Sequence, residues 1–211
     1  MGKIVVSENA SLDGVIQDPA GDEGFPRGGW VGPIKDRPEL GQLALDEAEG
    51  TEAMLMGRRT YEWFAAKWPS RGGRLADRLN SKPKYVMSST LEHADWNNST
   101  VLKGDVVGEV SRLKHELNGD IVVPASVQIV RTLMEHDLVD ELRLKIFPVV
   151  LGAGKRLFGE TSDKKKMRLC DARTLDGDTA YLAYERIDEP SSRSLQQASL
   201  RLESQRPAPT R

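Results

Sequence analysis

The segment from Gly119 to Phe158 constrains the fold of this 211-residue chain most strongly, because its apolar pattern changes period along its length. It begins with the apolar run Ile121–Val123, which ends at Pro124. A short β-branched run of this kind is typical of a strand buried on both faces. Apolar residues then recur at three-to-four spacing across residues 127–134. This spacing predicts an amphipathic helix with Ser126 as its N-cap.

The period becomes two in the next part of the same segment. Between Glu141 and Phe147, charged residues alternate with leucine and isoleucine, which predicts a strand with one buried and one solvent-facing side. A strand that leads directly into a helix leaves unpaired N–H groups and the positive end of the helix dipole at the turn. The turn after Val123 is therefore predicted to favour an anionic ligand.

The rest of the chain continues to alternate strands with helices. Strands are predicted at residues 3–9, 53–56, 85–88, 100–102, 167–174 and 179–186, and helices at residues 38–49, 60–66 and 106–117. An Asp-Gly pair at Asp176 and Gly177 separates the last two strands, which is a strong hairpin signal. Together these elements predict an α/β fold in three layers, with a mainly parallel central sheet flanked by helices and an antiparallel C-terminal hairpin.

Length and composition limit the organisation and the function. We expect one domain over residues 1–187 and a flexible polar tail over residues 188–211. The formal net charge of −2 argues against binding to nucleic acid or to an anionic membrane, and the longest apolar runs are too short to span a bilayer. Cys170 is the only cysteine, which fits a reducing compartment, so a cytoplasmic location is expected.

Four separated motifs carry a resemblance to a known family. They are residues 11–16 (SLDGVI), 55–62 (LMGRRTYE), 85–90 (YVMSST) and 119–158. In this order they resemble the dihydrofolate reductase-like family, specifically the branch of the riboflavin-biosynthesis reductase, or RibD C-terminal domain, and its stand-alone bacterial members. The resemblance implies a dihydrofolate reductase-like fold, NADPH as cofactor, and hydride transfer to a small pterin-like or ribosylamino-pyrimidine-like substrate.

The chain lacks the motifs of the deaminase that accompanies some of these reductases. A zinc deaminase needs an H-x-E and a P-C-x-x-C signature, and neither occurs here. His93, His115 and His136 are scattered without metal-ligand spacing. We therefore expect the reductase half alone, with no metal site.

The segment Gly57-Arg58-Arg59-Thr60 carries the clearest cofactor signal. Gly57 permits a tight turn after a buried strand, and arginines beside a helix start suit phosphate oxygens, although a solvated basic face is the structural alternative. The resemblance implies that this segment contacts the pyrophosphate and 2′-phosphate of NADPH. It also implies cofactor contacts at a further set of residues. These are Ile16, Ser88, Ser89, Ala125, Ser126, Val127 and Gln128.

The turn after Val123 departs from the family pattern. Relatives usually have Gly-Gly or Gly-Ser there, whereas this chain has Pro124-Ala125. Pro124 has no N–H to donate, and the Cβ of Ala125 penalises a positive φ by roughly 1 kcal/mol or more. Weakened cofactor binding is one expectation from this departure.

The substrate side is less specific. By resemblance, Asn9 and the loop that contains Asp13 lie where the nicotinamide meets the substrate, and the Gly- and Pro-rich loop around Trp30 is a candidate cover for the cleft. Asp46 is a candidate substrate carboxylate on the first helix. Three other carboxylates on or near that helix remain open as alternatives. They are Glu39, Glu47 and Glu49.

Two functional hypotheses follow. The first is an NADPH-dependent reductase that acts on a small molecule. The second is a non-catalytic relative that keeps the fold as a nucleotide-binding or dimeric interaction module. A homodimer is expected in either case, formed through apolar surface near residues 141–151 and the C-terminal hairpin.

Overall fold

The computed structural model of the protein describes residues 1–187, apart from the side chain of Ile34, and the predicted tail at residues 188–211 lies outside this part. Its strands are β1 (Lys3–Ser11), β2 (Thr51–Gly57), β3 (Lys84–Met87), β4 (Ser99–Leu102), β5 (Asp120–Pro124), β6 (Glu141–Phe147), β7 (Met167–Leu175) and β8 (Thr179–Arg186). Its helices are α1 (Pro38–Gly50), α2 (Arg58–Ala65), α3 (Arg74–Ser81), α4 (Val106–Glu116) and α5 (Val127–Glu135), with a 3-10 turn at Ile34–Asp36.

All eight of these strands form one sheet in the order β4-β3-β2-β5-β1-β6-β8-β7. The strands from β4 to β6 pair in parallel, and only the pairs β6–β8 and β8–β7 are antiparallel. This arrangement confirms the predicted α/β fold with an antiparallel C-terminal hairpin. Of the segments predicted to carry the dimer surface, β6 is enclosed by β1 and β8, whereas the C-terminal hairpin reaches an edge of the sheet. Within residues 1–187, the two edge strands of the sheet are β4 and β7.

The hairpin between β7 and β8 has the turn that its sequence predicts. Asp176 has φ of 51° and Gly177 has φ of 79°. Two successive positive φ values match the twist of the adjoining strands, and Asp-Gly tolerates them at low cost. The turn also contacts the start of α1, because the two carboxylate oxygens of Asp176 accept the backbone N–H groups of Glu39 and Leu40. A single turn thus closes the sheet and caps α1.

One face of the sheet is covered by α4 and α5. Its core combines the inward residues of these helices with alternate residues of the central strands. The buried members include Ile4, Val6, Leu55, Val110, Leu113, Ile121, Val123, Ile129, Val130, Leu133, Leu142 and Leu144. Most are β-branched residues or leucine, as expected for parallel strands that are covered on both sides.

The other face carries two separate apolar clusters. The α1 cluster lies under α1 and is built from Leu40, Leu43, Phe147, Leu175, Tyr181 and Ala183, together with Val31. The α2 cluster lies under α2 and contains Met54, Met56, Tyr61, Val86 and Trp96. Between them this face of β1 presents Ser7 and Asn9, which belong to neither cluster. The middle of this face is therefore more polar than its sides.

A short helix, α3, was not predicted. Its eight residues lie between two prolines, and arginine and asparagine interrupt its few apolar positions.

The helix is followed by Lys84, whose side chain is fully buried at the amino end of β3. The Lys84 ammonium donates to the carbonyl oxygens of Asn80, Lys82 and Asn97 at 2.8–3.0 Å and lies 4.2 Å from the ring centre of Trp96. Burial lowers the pKa of Lys84 to about 8. None of the helices in residues 1–187 is long and apolar enough to cross a membrane.

We expect Lys84→Met to lower the free energy of unfolding by about 2–4 kcal/mol, because three carbonyl groups lose their donor inside the protein. Urea denaturation of the parent and the variant measures this loss. Lys103→Met is the matched control. Lys103 is exposed and, within residues 1–187, pairs with Glu92 alone, so its replacement should change stability by less than about 1 kcal/mol. Equal effects of the two substitutions would contradict the role assigned to Lys84.

Candidate cofactor and substrate site

The carboxyl ends of β1, β2 and β5 meet at one edge of the sheet. Pro124, the last residue of β5, pairs with Ser7, and Gly57, the last residue of β2, pairs with Met87 of β3. The turns after β2 and β5 therefore lie side by side, next to the second half of β1. We call these two turns and residues 8–11 of β1 the junction. In open α/β sheets, ligands bind at this kind of edge, where the strand order changes direction.

Ser126 joins the two turns of the junction. Its hydroxyl accepts the N–H of Gly57 at 3.1 Å and donates to the hydroxyl of Thr60 at 3.1 Å. Thr60 in turn donates to the carbonyl of Ala125 at 3.3 Å. Ser126 occupies the N-cap position of α5, as predicted, but its side chain makes no cap hydrogen bond there. The predicted capping role is wrong in this respect, because the hydroxyl is committed to the neighbouring turn.

Ala125 adopts the left-handed conformation that its sequence context made costly. Its φ is 48°, and no glycine relieves the contact of its Cβ with the backbone. Such a conformation costs about 1–2 kcal/mol for an alanine. The turn after β5 therefore carries backbone strain at Ala125, at the position where the sequence predicts a penalty for positive φ.

The two arginines of α2 have different surroundings. Arg58 forms an ion pair with Glu62 at 3.2 Å and donates to the hydroxyl of Thr90 at 2.8 Å. Arg59 is exposed and has no ion-pair or hydrogen-bond partner within residues 1–187. Both side chains lie on the first turn of a helix whose N-cap, Gly57, provides no capping side chain. The available cation at this helix start is Arg59.

Ser88 and Ser89 follow β3 beside the same edge. The hydroxyl of Ser88 accepts the N–H groups of Thr90 at 3.2 Å and Leu91 at 2.9 Å, so it shapes the turn. Its own proton remains available to donate. Ser89 is exposed. The structure thus brings both serines near the turn of Arg58, which contacts Thr90 in the same segment.

The other predicted cofactor residues divide into two groups. Val127 and Gln128 form the first turn of α5 at the junction, where backbone N–H groups precede the helical hydrogen-bond pattern. Ile16 forms the second group. Its side chain belongs to the core under α4 and α5, and its N–H donates to the carbonyl of Lys155. The side chain of Ile16 is therefore not presented to a ligand.

Asp13 holds two loops together. Its carboxylate accepts N–H groups from Leu151 at 3.0 Å and Gly152 at 2.9 Å, and the hydroxyl of Ser11 at 2.7 Å. The Leu151 N–H, followed by the Ser11 hydroxyl, lowers the pKa of Asp13 to about 2. Arg156 lies 3.4 Å away. These contacts give Asp13 a structural role in fixing the turn at Gly14 and occupy the carboxylate that a substrate would otherwise contact.

The loop that carries Trp30 is anchored through the buried residue Asp18, which is 1% exposed. Its carboxylate accepts N–H groups from Asp22, Glu23 and Phe25 at 2.8–3.0 Å. Asp18, Asp22 and Glu23 are close enough together to attract a cation, but Asp22 also binds Lys67 and the indole of Trp63. These bonds give the acidic group a structural function in tying the loop to α2.

Trp30 itself covers the α1 cluster. Its indole N–H donates to the carbonyl of Gln17 at 3.0 Å, and its ring meets Phe147 edge-on, with ring centres 5.4 Å apart. The predicted candidate thus lies on the α1 side of β1, where it is packed against the last residue of β6.

The carboxylate of α1 that lies against the sheet is Glu47 and not the chosen candidate, Asp46. Asp46 is exposed and accepts a bond from Gln42 in its own helix. Glu47 continues the inward face of Leu40 and Leu43, since these residues are spaced by three and four. This spacing is the sequence signal that distinguishes Glu47 from the other acidic residues of α1.

Glu47 belongs to a buried polar network on the α1 face of β1. Its Oε2 accepts the hydroxyl of Ser7 at 2.8 Å and lies 3.4 Å from the ammonium of Lys145, which donates to Ser7 at 2.5 Å. Oε1 of Glu47 is buried without a hydrogen-bond partner in the described chain. Lys145 pairs with Asn9 across the sheet, so the network lies directly beside that predicted substrate residue.

Sequence reasoning missed Glu8, the residue next to Asn9. Alternation along β1 turns Glu8 towards α5, where the side chain is only 5% exposed. Oε1 accepts the N–H of Asn9 at 3.0 Å, and Oε2 is buried without a hydrogen-bond partner in residues 1–187. Burial raises the pKa of Glu8 to about 7, despite the opposing effect of Lys145. The sequence signal for it is a charged residue within the alternating apolar series of Ile4, Val6 and Ala10.

The fold and the junction define a dihydrofolate reductase-like α/β protein. The profile of the RibD C-terminal domain matches residues 2–181, and the chain belongs to that family. It is 27% identical to the uncharacterized protein YyaP of Bacillus subtilis over 187 residues, which cover 86% of this chain and 94% of YyaP. It is 26% identical to YwjB of the same organism over 167 residues, covering 79% and 88%.

Solved structures agree on the fold. A putative riboflavin biosynthesis protein from Shewanella sp. PV-4 matches with a TM-score of 0.70 and 22% identity, covering 88% of this chain and 99% of the other. A pyrimidine reductase-like protein from Corynebacterium diphtheriae gives 0.57 and 13%, covering 89% and 92%. Dihydrofolate reductase from Enterococcus faecalis, solved as a complex with NADP(H) and RAB-propyl, gives 0.55 and 14%, covering 88% and 97%.

We expect Ala125→Gly to leave the free energy of unfolding unchanged or to raise it by up to about 1 kcal/mol. Relief of the left-handed strain, about 1–2 kcal/mol, offsets the greater freedom of glycine in the unfolded chain, which costs about 0.4–1 kcal/mol. Ala44→Gly within α1 is the control, and it should lower stability by about 1 kcal/mol. Chemical denaturation compares them. An equal loss at both positions would show that the turn at Ala125 is unstrained.

Proposed function

We propose that the protein is an NADPH-dependent reductase that transfers a hydride to a small heterocyclic substrate, either pterin-like or ribosylamino-pyrimidine-like. The observation that carries this proposal is the junction, where Ser126 holds the starts of α2 and α5 side by side at the carboxyl edge of the sheet. Membership of the RibD C-terminal domain family and reductase-like structural neighbours support the same chemistry.

The junction fits the phosphates of a dinucleotide. Two helix starts, without capping side chains, direct backbone N–H groups and positive dipole ends to one place. Arg59 adds a fixed positive charge that is not used within residues 1–187. We assign the pyrophosphate to the turns Gly57–Thr60 and Ala125–Gln128. The 2′-phosphate is assigned to Arg59, with Arg58, Ser88 and Ser89 beside it.

The substrate is assigned to the α1 side of β1. Asn9 lies there at the end of a polar strip, flanked by the Ser7–Glu47–Lys145 network and by the cluster that includes Trp30. NADPH supplies the hydride when bound. The protein orients the two reactants and excludes water from between them. Glu47 takes the place of Asp46 as the candidate carboxylate near the substrate, because Asp46 points into solvent.

We expect the protein to bind NADPH more tightly than NADH by one to two orders of magnitude, because a charge-assisted contact to the 2′-phosphate contributes about 1.5–3 kcal/mol. Titration with each nucleotide measures the preference. Arg59→Ala should remove most of it, whereas Arg58→Ala should remove less, since Arg58 already pairs with Glu62. Arg112→Ala on α4 is the control, because Arg112 is fully engaged with Glu109 and Glu116. Equal affinities for the two nucleotides in the parent protein would reject the assignment of Arg59.

Turnover separates this proposal from a non-catalytic nucleotide-binding or interaction module. Saturating NADPH is incubated with a panel of dihydropterins, dihydrofolate and ribosylamino-pyrimidines, and the loss of absorbance of the reduced nicotinamide is followed. Substrate-dependent oxidation supports the reductase. A rise in melting temperature with NADPH but no oxidation with any acceptor would favour the module.

A homodimer and a cytoplasmic location complete the proposal. Within residues 1–187, β7 is an edge strand that pairs with β8 on one side alone. Its residues are exposed along almost the whole strand. Large apolar side chains accompany this edge, including Leu169, which is 49% exposed, and Ile187. An open edge strand with apolar side chains is a common pairing surface. Cys170 on the same strand is an exposed free thiol, which fits a reducing compartment.

We expect light scattering at micromolar protein to give the mass of a dimer. Leu169→Lys places a charge on the exposed face of β7 and should shift the protein towards monomer, because a charged side chain at the edge disfavours pairing. Leu12→Lys is the control, since Leu12 is exposed but lies beyond β1, away from this edge. A monomer mass for the parent protein would reject the dimer.

A further inference from the structure

Glu8 places a carboxyl group inside a site built for anions. Residue pairing sets Ser7 opposite Pro124, so the next residue of β1, Glu8, lies beside the turn that begins with Ala125. The backbone N–H of Ala125 favours the ionised form of Glu8 and lowers its pKa. The Glu8 carboxylate therefore lies close to the start of α5, where the proposed function places a phosphate group.

The charges around Glu8 come from three elements besides its own strand. Lys145 of β6 attracts the carboxylate, and Glu23, which the Asp18-anchored loop holds on the other side, repels it. The turn after β5 contributes the N–H of Ala125. Burial outweighs the attraction, and the result is a pKa of about 7. Near neutral pH, the carboxyl group is therefore ionised in about half of the molecules.

A bound dinucleotide adds negative charge next to this group. A like charge at short range in a water-poor site favours the protonated form of a carboxyl group. Oε2 of Glu8 has no hydrogen-bond partner within residues 1–187, so no existing hydrogen bond to Oε2 would have to break for it to accept a proton. The protonated group also gains an O–H donor, which an oxygen-rich ligand can accept.

We propose that Glu8 takes up a proton when an anionic dinucleotide binds at the junction, so that the affinity for the cofactor is linked to pH through this one buried residue. This inference rests on the proposed function, because it assumes that the junction binds a nicotinamide dinucleotide. It adds Glu8, which lies beside the turn of Ala125, to the residues that act on the cofactor. No phosphate-binding pattern in the sequence identifies this residue.

Calorimetric titration with NADPH in two buffers of different ionisation enthalpy tests the proposal on the parent protein. We expect uptake of about half a proton at pH 7, approaching one proton at pH 8, because the free carboxyl is increasingly ionised. The dissociation constant should correspondingly rise by up to about tenfold per pH unit between pH 7.5 and 9. This window lies above the second ionisation of a phosphate monoester, near pH 6, so the ligand's own titration contributes little.

Glu8→Gln keeps the size of the side chain and removes its titration. The variant should bind NADPH with a dissociation constant that is nearly independent of pH from 7.5 to 9, and it should bind at least about tenfold more tightly than the parent at pH 9. Glu52→Gln is the control, because Glu52 accepts the N–H of Asn118 at 3.0 Å at the amino end of β2, away from the junction, and its replacement should keep the proton uptake. Lys84 also titrates near pH 8 but lies at the amino end of β3, and it contributes equally to all variants.

Glu23→Gln provides a test that does not depend on the tolerance of a buried position. Glu23 is exposed, and its removal takes away a like charge from Glu8, so the pH at which affinity begins to fall should move to a lower value. Binding without proton uptake would overturn the assignment of Glu8, as would uptake that persists in a folded Glu8→Gln variant. Failure of NADPH and NADH to bind at any pH from 6 to 9 would instead reject the reductase proposal, and this inference with it.

Discussion

The parallel pairing of β1 between β5 and β6 is the constraint on which the other features depend. Because β1 is central and covered on both faces, its alternate side chains are divided strictly between α5 and α1. Ile4 and Val6 complete the core under α4 and α5, and Glu8 follows them on the same face. Ser7 and Asn9 face α1. A shift of one residue in this register would exchange the side chains that face α5 with those that face α1. Ser7 and Glu8 would then lose their hydrogen-bond partners.

The same pairing determines where the turns lie. Since β2 and β5 are parallel to β1 and adjacent in the sheet, their carboxyl ends reach a common edge, and the helices that follow begin there. The sequence predicts each turn separately because each has a local signal. These signals are Gly57 with two arginines in one case and Pro124 to Ser126 in the other. The parallel sheet then brings distant segments together without any further signal in the sequence.

Other parts of the structure could not be predicted from local patterns. The choice among the acidic residues of α1 depends on which side of the helix meets β1, and Glu47 is distinguished from Asp46 by only one residue. The hydroxyl of Ser126 looked like an N-cap because the cap position is local, but its actual partner, Gly57, is far away in the sequence. Glu8 was overlooked because its effect comes from burial against α5, which only the packed structure reveals. In α3, local propensity is weak, and packing against the rest of the chain decides the outcome.

The hydroxyl of Ser126 also has a consequence for how a ligand arrives. The hydrogen bonds from Gly57 to Ser126, from Ser126 to Thr60, and from Thr60 to the carbonyl of Ala125 fix the spacing of two helix starts through the protein's own groups. A ligand that bridges the two turns would therefore meet helix starts whose separation is already fixed, and its binding would not have to order either turn. Preorganisation of this kind lowers the entropic cost of association, so selection among ligands falls on their length and shape. Under the proposed function, phosphate groups whose separation matches the distance between the two helix starts would keep both contacts, and shorter or longer arrangements would lose one of them.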